Sequence, residues 1–306
     1  MDWICKVIAR LAALLMACIA FPASAGEAMP EVAAASVAPA EIRPALWKIT
    51  DDDTTIWLFG TIHALPPGLT WFDGKVAEAF AESDELITEI AGEEPAEMQG
   101  VVLQKAMLGD GKTLRGLMSE TERADYEAAL TSLGLPLAVF DAFEPWYAAV
   151  GLSTLPLMRD GFVREHGVEE ALDSRAKELG HAHAGLETSE YQLGLFDELP
   201  LDVQKRYLSE VVENLPTLKE DLHKMIAAWK TGDAEGLAAL MNAQEDDPVL
   251  VETLLVNRNR TWAGWISERM GKPGKVFLAV GAGHLAGAGS VQEQLVARGL
   301  TAIRVQ

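Results

Sequence analysis

The patterned part of the chain begins at Leu46, where Leu-Trp-Lys-Ile-Thr alternates apolar and polar positions. After the acidic turn Asp51-Asp52-Asp53 a denser apolar run follows, from Thr54 to Phe59. Two such runs across a tight polar turn predict a β-hairpin. Pro66-Pro67-Gly68 breaks the chain before a helix predicted from about Asp73 to Ser83, and Glu85-Leu86-Ile87-Thr88-Glu89-Ile90 reads as a short buried strand. Residues 95–180 carry helical periodicity. They include a capping-box start at Ser119-Glu120-Thr121-Glu122, Pro145 in a first helical turn, and an amphipathic stretch from Val168 to Leu179. Ala182 to Thr188 predicts another short strand, and residues 202–270 are helical again, with breaks near Pro216, Gly232 and Pro248. Lys275 to Val280 reads as a buried strand, Ser290 to Arg298 as a helix and Thr301 to Val305 as a last strand.

Strands cluster at both ends of this pattern, with helical blocks between them. The expected fold is therefore α/β (mixed α+β): one sheet formed from N- and C-terminal strands, covered by helices, with a large mid-chain helical insertion.

The first residues belong to a different regime. Lys6 and Arg10 precede an apolar run, Leu11 to Phe21, that is too short to span a bilayer, and Pro22-Ala23-Ser24-Ala25-Gly26 offers a small-x-small cleavage site. Residues 1–25 read as a signal peptide cleaved after Ala25, which places the mature chain in a periplasm or outside the cell. The alternatives are an uncleaved anchor and, since Leu15-Met16-Ala17-Cys18 is an imperfect lipobox, a lipid on Cys18. Residues 26–44, rich in Ala, Pro, Val and Glu, read as a flexible leader, and 45–306 as the folded domain. No second apolar stretch is long enough for a transmembrane helix. Both cysteines, Cys5 and Cys18, fall in the signal, so the mature chain would have no disulfide, thiol nucleophile or thiolate metal site. The formal net charge is −21. That argues against nucleic acid and against anionic lipid as partners.

The chemistry concentrates in two short segments, Phe59-Gly60-Thr61-Ile62-His63 and Val280-Gly281-Ala282-Gly283-His284, one near each end of the domain. Each sets a histidine three residues after a glycine at the end of a buried strand. In open α/β sheets, ligands sit in the crevice beyond the carboxyl ends of strands. Two other predicted strands end in acids, Glu89 and Glu187. If the four strands are neighbours, His63, Glu89, Glu187 and His284 converge. Two imidazoles with carboxylates are a ligand set suited to Mn, Co, Fe or Zn, and a metal with an open position can deliver hydroxide to a carbonyl. Other signals are weaker. His181 and His183 share a strand face but lie at its opposite end. No Gly-x-Ser-x-Gly elbow, dinucleotide fingerprint or Walker lysine is present. Trp146, Trp229, Trp262 and Trp265 sit at helical spacings that suit a core, whereas Trp71-Phe72, just after His63, is a candidate for a lip over the crevice.

Trp47-Lys48-Ile49 leading to the first Gly-x-x-His, Leu86-Ile87-Thr88-Glu89, Gly185-Leu186-Glu187-Thr188 with Gln192, Arg258-Asn259 ahead of Trp262, and the second Gly-x-x-His form an ordered set. In that set the chain resembles the TraB/GumN family over about residues 45–306. That family is similar to the Tiki-type metalloproteases, and more remotely to the erythromycin esterase and ChaN-like fold. The resemblance implies that His63 and His284 are paired histidines with Glu89 and Glu187 as acids. It implies a divalent metal (Mn, Co or Zn) held by His63, Glu89 and His284, and Arg258 and Asn259 as substrate-binding supports. It also implies an aspartate after Gly167-Val168. The chain has Glu169 there, and Glu169 is left outside the expected site. The leading expectation is an exported metal-dependent hydrolase acting on a peptide or other small substrate. The alternatives are a metal-free hydrolase in which a histidine oriented by a glutamate activates water, and a non-catalytic peptide- or haem-binding protein.

Overall fold

A computed structural model describes residues 41–92, 95–109, 111–242 and 247–306. The predicted signal peptide, Cys18 and most of the leader lie outside the described residues. Six strands form one mixed sheet: β1 (Leu46–Thr50), β2 (Thr54–Thr61), β3 (Glu85–Thr88), β4 (Ala182–Gly185), β5 (Gly274–Gly281) and β6 (Ile303–Arg304). Their order is β4-β3-β5-β2-β1-β6. The β1–β2 hairpin closes on the Asp51 carboxylate, which accepts the N–H of Asp53 (3.2 Å) and of Thr54 (2.8 Å), a side-chain mimic of a backbone turn.

Strands β2, β5, β3 and β4 run parallel, with Thr61 opposite Gly281, Thr88 opposite Ala279 and Thr88 opposite Gly185. All four therefore end on the same rim of the sheet. The central strands are apolar on both faces, as buried parallel strands are, and alternate residues feed two cores. Phe59, Leu86 and Phe277 pack on one face against α1 (Gly74–Ala81), α5 (Val168–Leu179) and α8 (Leu218–Lys230). Leu58, Ile87 and Leu278 pack on the other against α11 (Asn257–Arg269) and α12 (Val291–Val296).

A third core belongs to the mid-chain helical insertion. It joins α2 (Pro95–Ala106), α3 (Glu120–Ser132), α4 (Pro145–Arg159), α6 (Ser189–Asp197), α7 (Leu201–Asn214) and α10 (Pro248–Val251); α9 (Ala234–Asn242) lies outside it. Ser119 makes the expected capping box with Glu122, and Pro145 occupies the first turn of α4. The last strand is shorter than its sequence pattern: only Ile303 and Arg304 pair, with Lys48 and Trp47.

The expected aromatic lip is corrected. Trp71 is buried, stacked on Phe59 at 5.6 Å between ring centres and edge-on to Trp229 at 6.0 Å, with Phe72 turned onto Phe80. Three apolar rings on the sheet offer more burial than a solvent-facing rim does. Among the described residues no helix is long and apolar enough to cross a membrane.

Candidate active site

Each of the four parallel strands delivers one side chain to the shared rim: His63 two residues past β2, Glu89 directly after β3, Glu187 two residues past β4 and His284 three past β5. The two Gly-x-x-His segments are direct neighbours, because β2 and β5 pair along their whole length. Their glycines do different work. A Cβ on Gly60 would fall 2.9 Å from the Cα of Ala282, so Gly60 permits the two segments to touch. A Cβ on Gly281 would stand 3.2 Å from Glu89 Oε1, 3.5 Å from His284 Cδ2 and 4.0 Å from His63 Nε2. Gly281 thus leaves open the small space around which three candidate residues gather.

Arg258 organises the acids. It follows a π-helical turn, Glu252–Val256, at the start of α11, is wholly buried, and donates from Nη1 to the Leu254 carbonyl at 3.1 Å. Its Nη2 donates to Glu89 Oε2 (2.6 Å) and Glu187 Oε2 (2.8 Å), its Nε to Glu187, and its other Nη1 hydrogen lies toward His284 Nε2 (3.3 Å). All five N–H donors of the guanidinium are accounted for. Gln192 Nε2 bridges the same two carboxylates at 3.1 and 2.7 Å, and Trp262 Nε1 donates to Glu187 Oε1 at 2.9 Å. The Gly281 N–H donates to Glu89 Oε1 at 2.8 Å. Burial opposes the charge on Glu89, but the Arg258 guanidinium, together with His284, His63 and the Gly281 N–H, outweighs it and holds that carboxyl far below the usual range.

The two histidines are both tethered at Nδ1. Asn259 Oδ1 lies 2.6 Å from His284 Nδ1, while Asn259 Nδ2 donates to the Gly289 carbonyl at 2.8 Å. The amide orientation is therefore fixed, His284 donates from Nδ1, and its Nε2 accepts. On the other side, Glu169 Oε1 lies 2.6 Å from His63 Nδ1 and accepts the Thr61 hydroxyl as well. Burial lowers the pKa of His63, but the Glu169 carboxylate more than offsets this and the net shift is upward. Burial in turn works against ionised Glu169, and His63 and Thr61 bring its pKa down.

Glu169 lies outside the set expected from the sequence, and the structure brings it in. It sits in the first turn of α5, which reaches the site because Gly167 lets the backbone approach: a Cβ there would meet the His63 carbonyl oxygen at 2.0 Å, and the Val168 N–H donates to Ile62 at 3.1 Å. Glycine directly before an amphipathic helix, and the acid that the family resemblance expects after Gly167-Val168, are the available signals. Trp262, expected as core, is also a site residue through its N–H and through its ring, which lies against His284 at a tilt of 46°, 4.4 Å between ring centres.

Two expectations change with this geometry. Arg258 and Asn259, expected as substrate-binding groups, have their donors engaged by the protein, which makes them supports for Glu89, Glu187 and His284. The divalent-metal expectation requires lone pairs of His63, Glu89 and His284 to meet at one point. Instead N–H donors already cover His284 Nε2 and both Glu89 oxygens, and the permanent charge of Arg258 fills the gap between them. Among the described residues no three His, Cys, Asp or Glu side chains stand as a ligand set. The residues as arranged do not fit Mn, Co or Zn.

The sequence model of the TraB/PrgY/gumN family matches residues 45–304. Similar curated proteins are the uncharacterised protein YbaP of Escherichia coli (strain K12) and YbaP of Shigella flexneri. Each is 23% identical over 239 residues, covering 78% of this chain and 86% of the relative. No solved structure matches the chain. With 45–304 matched and the ordered motifs gathered on one rim of the sheet, the chain belongs to the TraB/PrgY/gumN family.

Proposed function

We propose that this protein is an exported hydrolase that cleaves a carboxylic ester or peptide bond by metal-free general-base catalysis, with His63 as the base. The observation that carries this reading is the His63–Glu169 pair. A carboxylate 2.6 Å from Nδ1 fixes the proton there and leaves Nε2 as an acceptor close to Glu89 and to the space above Gly281. Export rests on the signal-like residues 1–25.

In the proposed reaction a water standing over Gly281 gives its proton to His63 Nε2 as its oxygen attacks the substrate carbonyl carbon. The tetrahedral oxyanion collapses, the bond to the leaving group breaks, and the leaving group takes the proton back from the imidazolium. Glu169 stabilises that imidazolium and keeps the ring oriented. Glu89 borders the same space, and Arg258 supplies a fixed positive field near the developing oxyanion without touching substrate. Glu187 and His284 hold Arg258 in place against Glu89, and Asn259 holds His284.

The test is turnover of chromogenic esters and fluorogenic peptides by the purified protein, with and without a strong chelator, beside His63→Ala. Turnover that survives chelation and disappears in the variant supports the reading. Turnover abolished by chelation and restored by added Mn, Co or Zn would replace it with the metal-dependent one. Turnover unchanged in His63→Ala removes the base.

A further inference from the structure

Strand β4 is an outer strand of the sheet, and the site lies at its carboxyl end. In a parallel pair, alternate residues of each strand make both hydrogen bonds to the neighbour. The Leu186 N–H donates to the Thr88 carbonyl at 2.9 Å. That contact sets the parity: Ala182, Ala184 and Leu186 face β3, and His183 and Gly185 turn their N–H and C=O groups outward. Among the described residues no strand pairs with that edge. Ala182, Ala184 and Gly185 are exposed.

Sheet edges are usually guarded by a lysine, a proline, a bulge or a covering element. Ala-His-Ala-Gly has no such guard in its sequence. The one large side chain does not cover the edge either. His183 is drawn inward, with Nδ1 2.9 Å from Asp173 Oδ1 and Nε2 2.8 Å from Thr88 Oγ1. An extended chain lying on this edge would leave it beside Glu187, two residues past β4, with half-exposed Tyr191 in the following first turn. Of the charges flanking the strand, Glu178 is paired with Arg175 and Lys177 with Asp173, which leaves the exposed Glu190 uncompensated, on a chain of net charge −21. That field favours a cationic occupant.

We propose that the outer edge of β4 is a docking strand for an extended basic peptide, which adds to the sheet through the backbone groups of His183 and Gly185 and runs on toward the crevice. Strand addition of this kind takes its affinity from main-chain hydrogen bonds and its preferences from alternate side chains. Only the onward delivery to the crevice rests on the hydrolase reading; the docking does not.

The probe is a short fluorescein-labelled peptide of alternating lysine and valine, with binding followed by anisotropy at low salt. His183→Pro removes the outward N–H and leaves the β3 ladder intact, since proline is tolerated where the N–H of an edge strand faces solvent. His183→Ala controls for the side chain. The expectation is that His183→Ala binds like wild type and that His183→Pro binds about tenfold more weakly, the equivalent of one backbone hydrogen bond. The fully N-methylated peptide, equally charged but without amide donors, should not compete. Equal binding by His183→Pro and wild type overturns the proposal, as does equal competition by the N-methylated peptide or an absence of binding. If His183→Pro fails to fold, the N-methyl comparison on wild type decides. Binding without cleavage counts against the hydrolase and leaves the docking strand standing; cleavage indifferent to His183→Pro does the reverse.

Discussion

Glu169 Oε1 lies 2.6 Å from His63 Nδ1 across an approach so close that only glycine fits at position 167. The pair joins the first turn of α5 to the end of β2. It gives His63 what an imidazole base needs, a fixed tautomer and a carboxylate to stabilise its charged form.

Replacing Glu169 by Gln keeps the shape and removes the charge. A general base must be unprotonated, so the acid limb of the rate profile should lie above the ordinary histidine value of 6.5, because Glu169 outweighs burial and raises the His63 pKa. In Glu169→Gln the limb should move to lower pH, and the plateau rate should fall by about 10²-fold. The check is kcat/KM against pH. A purely structural role for Glu169 would lower the rate and leave the limb where it was.

The two motif glycines should separate stability from activity. Gly60→Ala drives a methyl into the backbone of Ala282 and should cost about 1–3 kcal/mol. Gly281→Ala places its methyl 3.2 Å from Glu89 Oε1 and into the space between the candidate residues. It should leave the urea midpoint near wild type and reduce kcat by at least about tenfold, on the order of the loss from a small misplacement of reacting groups. Urea titration and turnover on the same preparations read both.

These glycines also mark what is legible in the sequence. Glycine at a buried strand end with a histidine three residues on is a local pattern, and acids ending two other strands are local too. A parallel sheet then brings such ends to one rim, so the convergence of His63, Glu89, Glu187 and His284 follows from pattern and topology. Glu169 does not follow. Its partner His63 is 106 residues away, just past the end of β2, and its own helix looks like any amphipathic helix with acids in the first turn. Trp71 and Trp262 show the same limit from the other side. Both are aromatic residues in apolar surroundings; one is expected at the crevice and lies in the core, the other is expected in the core and donates to Glu187. Periodicity identifies a face of an element, and tertiary packing decides what that face meets.

Arg258 is matched by two carboxylates, so its removal should be severe. Arg258→Met strands Glu89 and Glu187 in the interior and should cost about 3–5 kcal/mol. Lysine should not rescue it, because three donors on a point charge cannot reproduce five in a planar fork. Neutralising one acid should help: Arg258→Met/Glu187→Gln is expected to be more stable than Arg258→Met alone. Urea unfolding of the three variants checks the order, and a double variant less stable than the single one would contradict the charge account.

The same groups set how stability follows pH. His63 has its folded-state pKa raised above 6.5, so its contribution is complete below 6.5 and is lost as pH rises through the raised value. Glu89 and Glu169 have theirs lowered from 4.5, so their contribution is complete above 4.5 and is lost as pH falls through the lowered values. Stability should therefore be greatest between about pH 4.5 and 6.5 and decline on both sides, a tenfold change in a group's proton affinity on folding being worth about 1.4 kcal/mol. His63→Asn should flatten the alkaline flank, because the group that loses its proton there is gone. It should leave the part of the acid flank that belongs to Glu89 and Arg258. Urea midpoints measured across pH for wild type and His63→Asn test both sides; an alkaline decline of equal steepness in the two proteins would assign that flank to groups other than the His63–Glu169 pair.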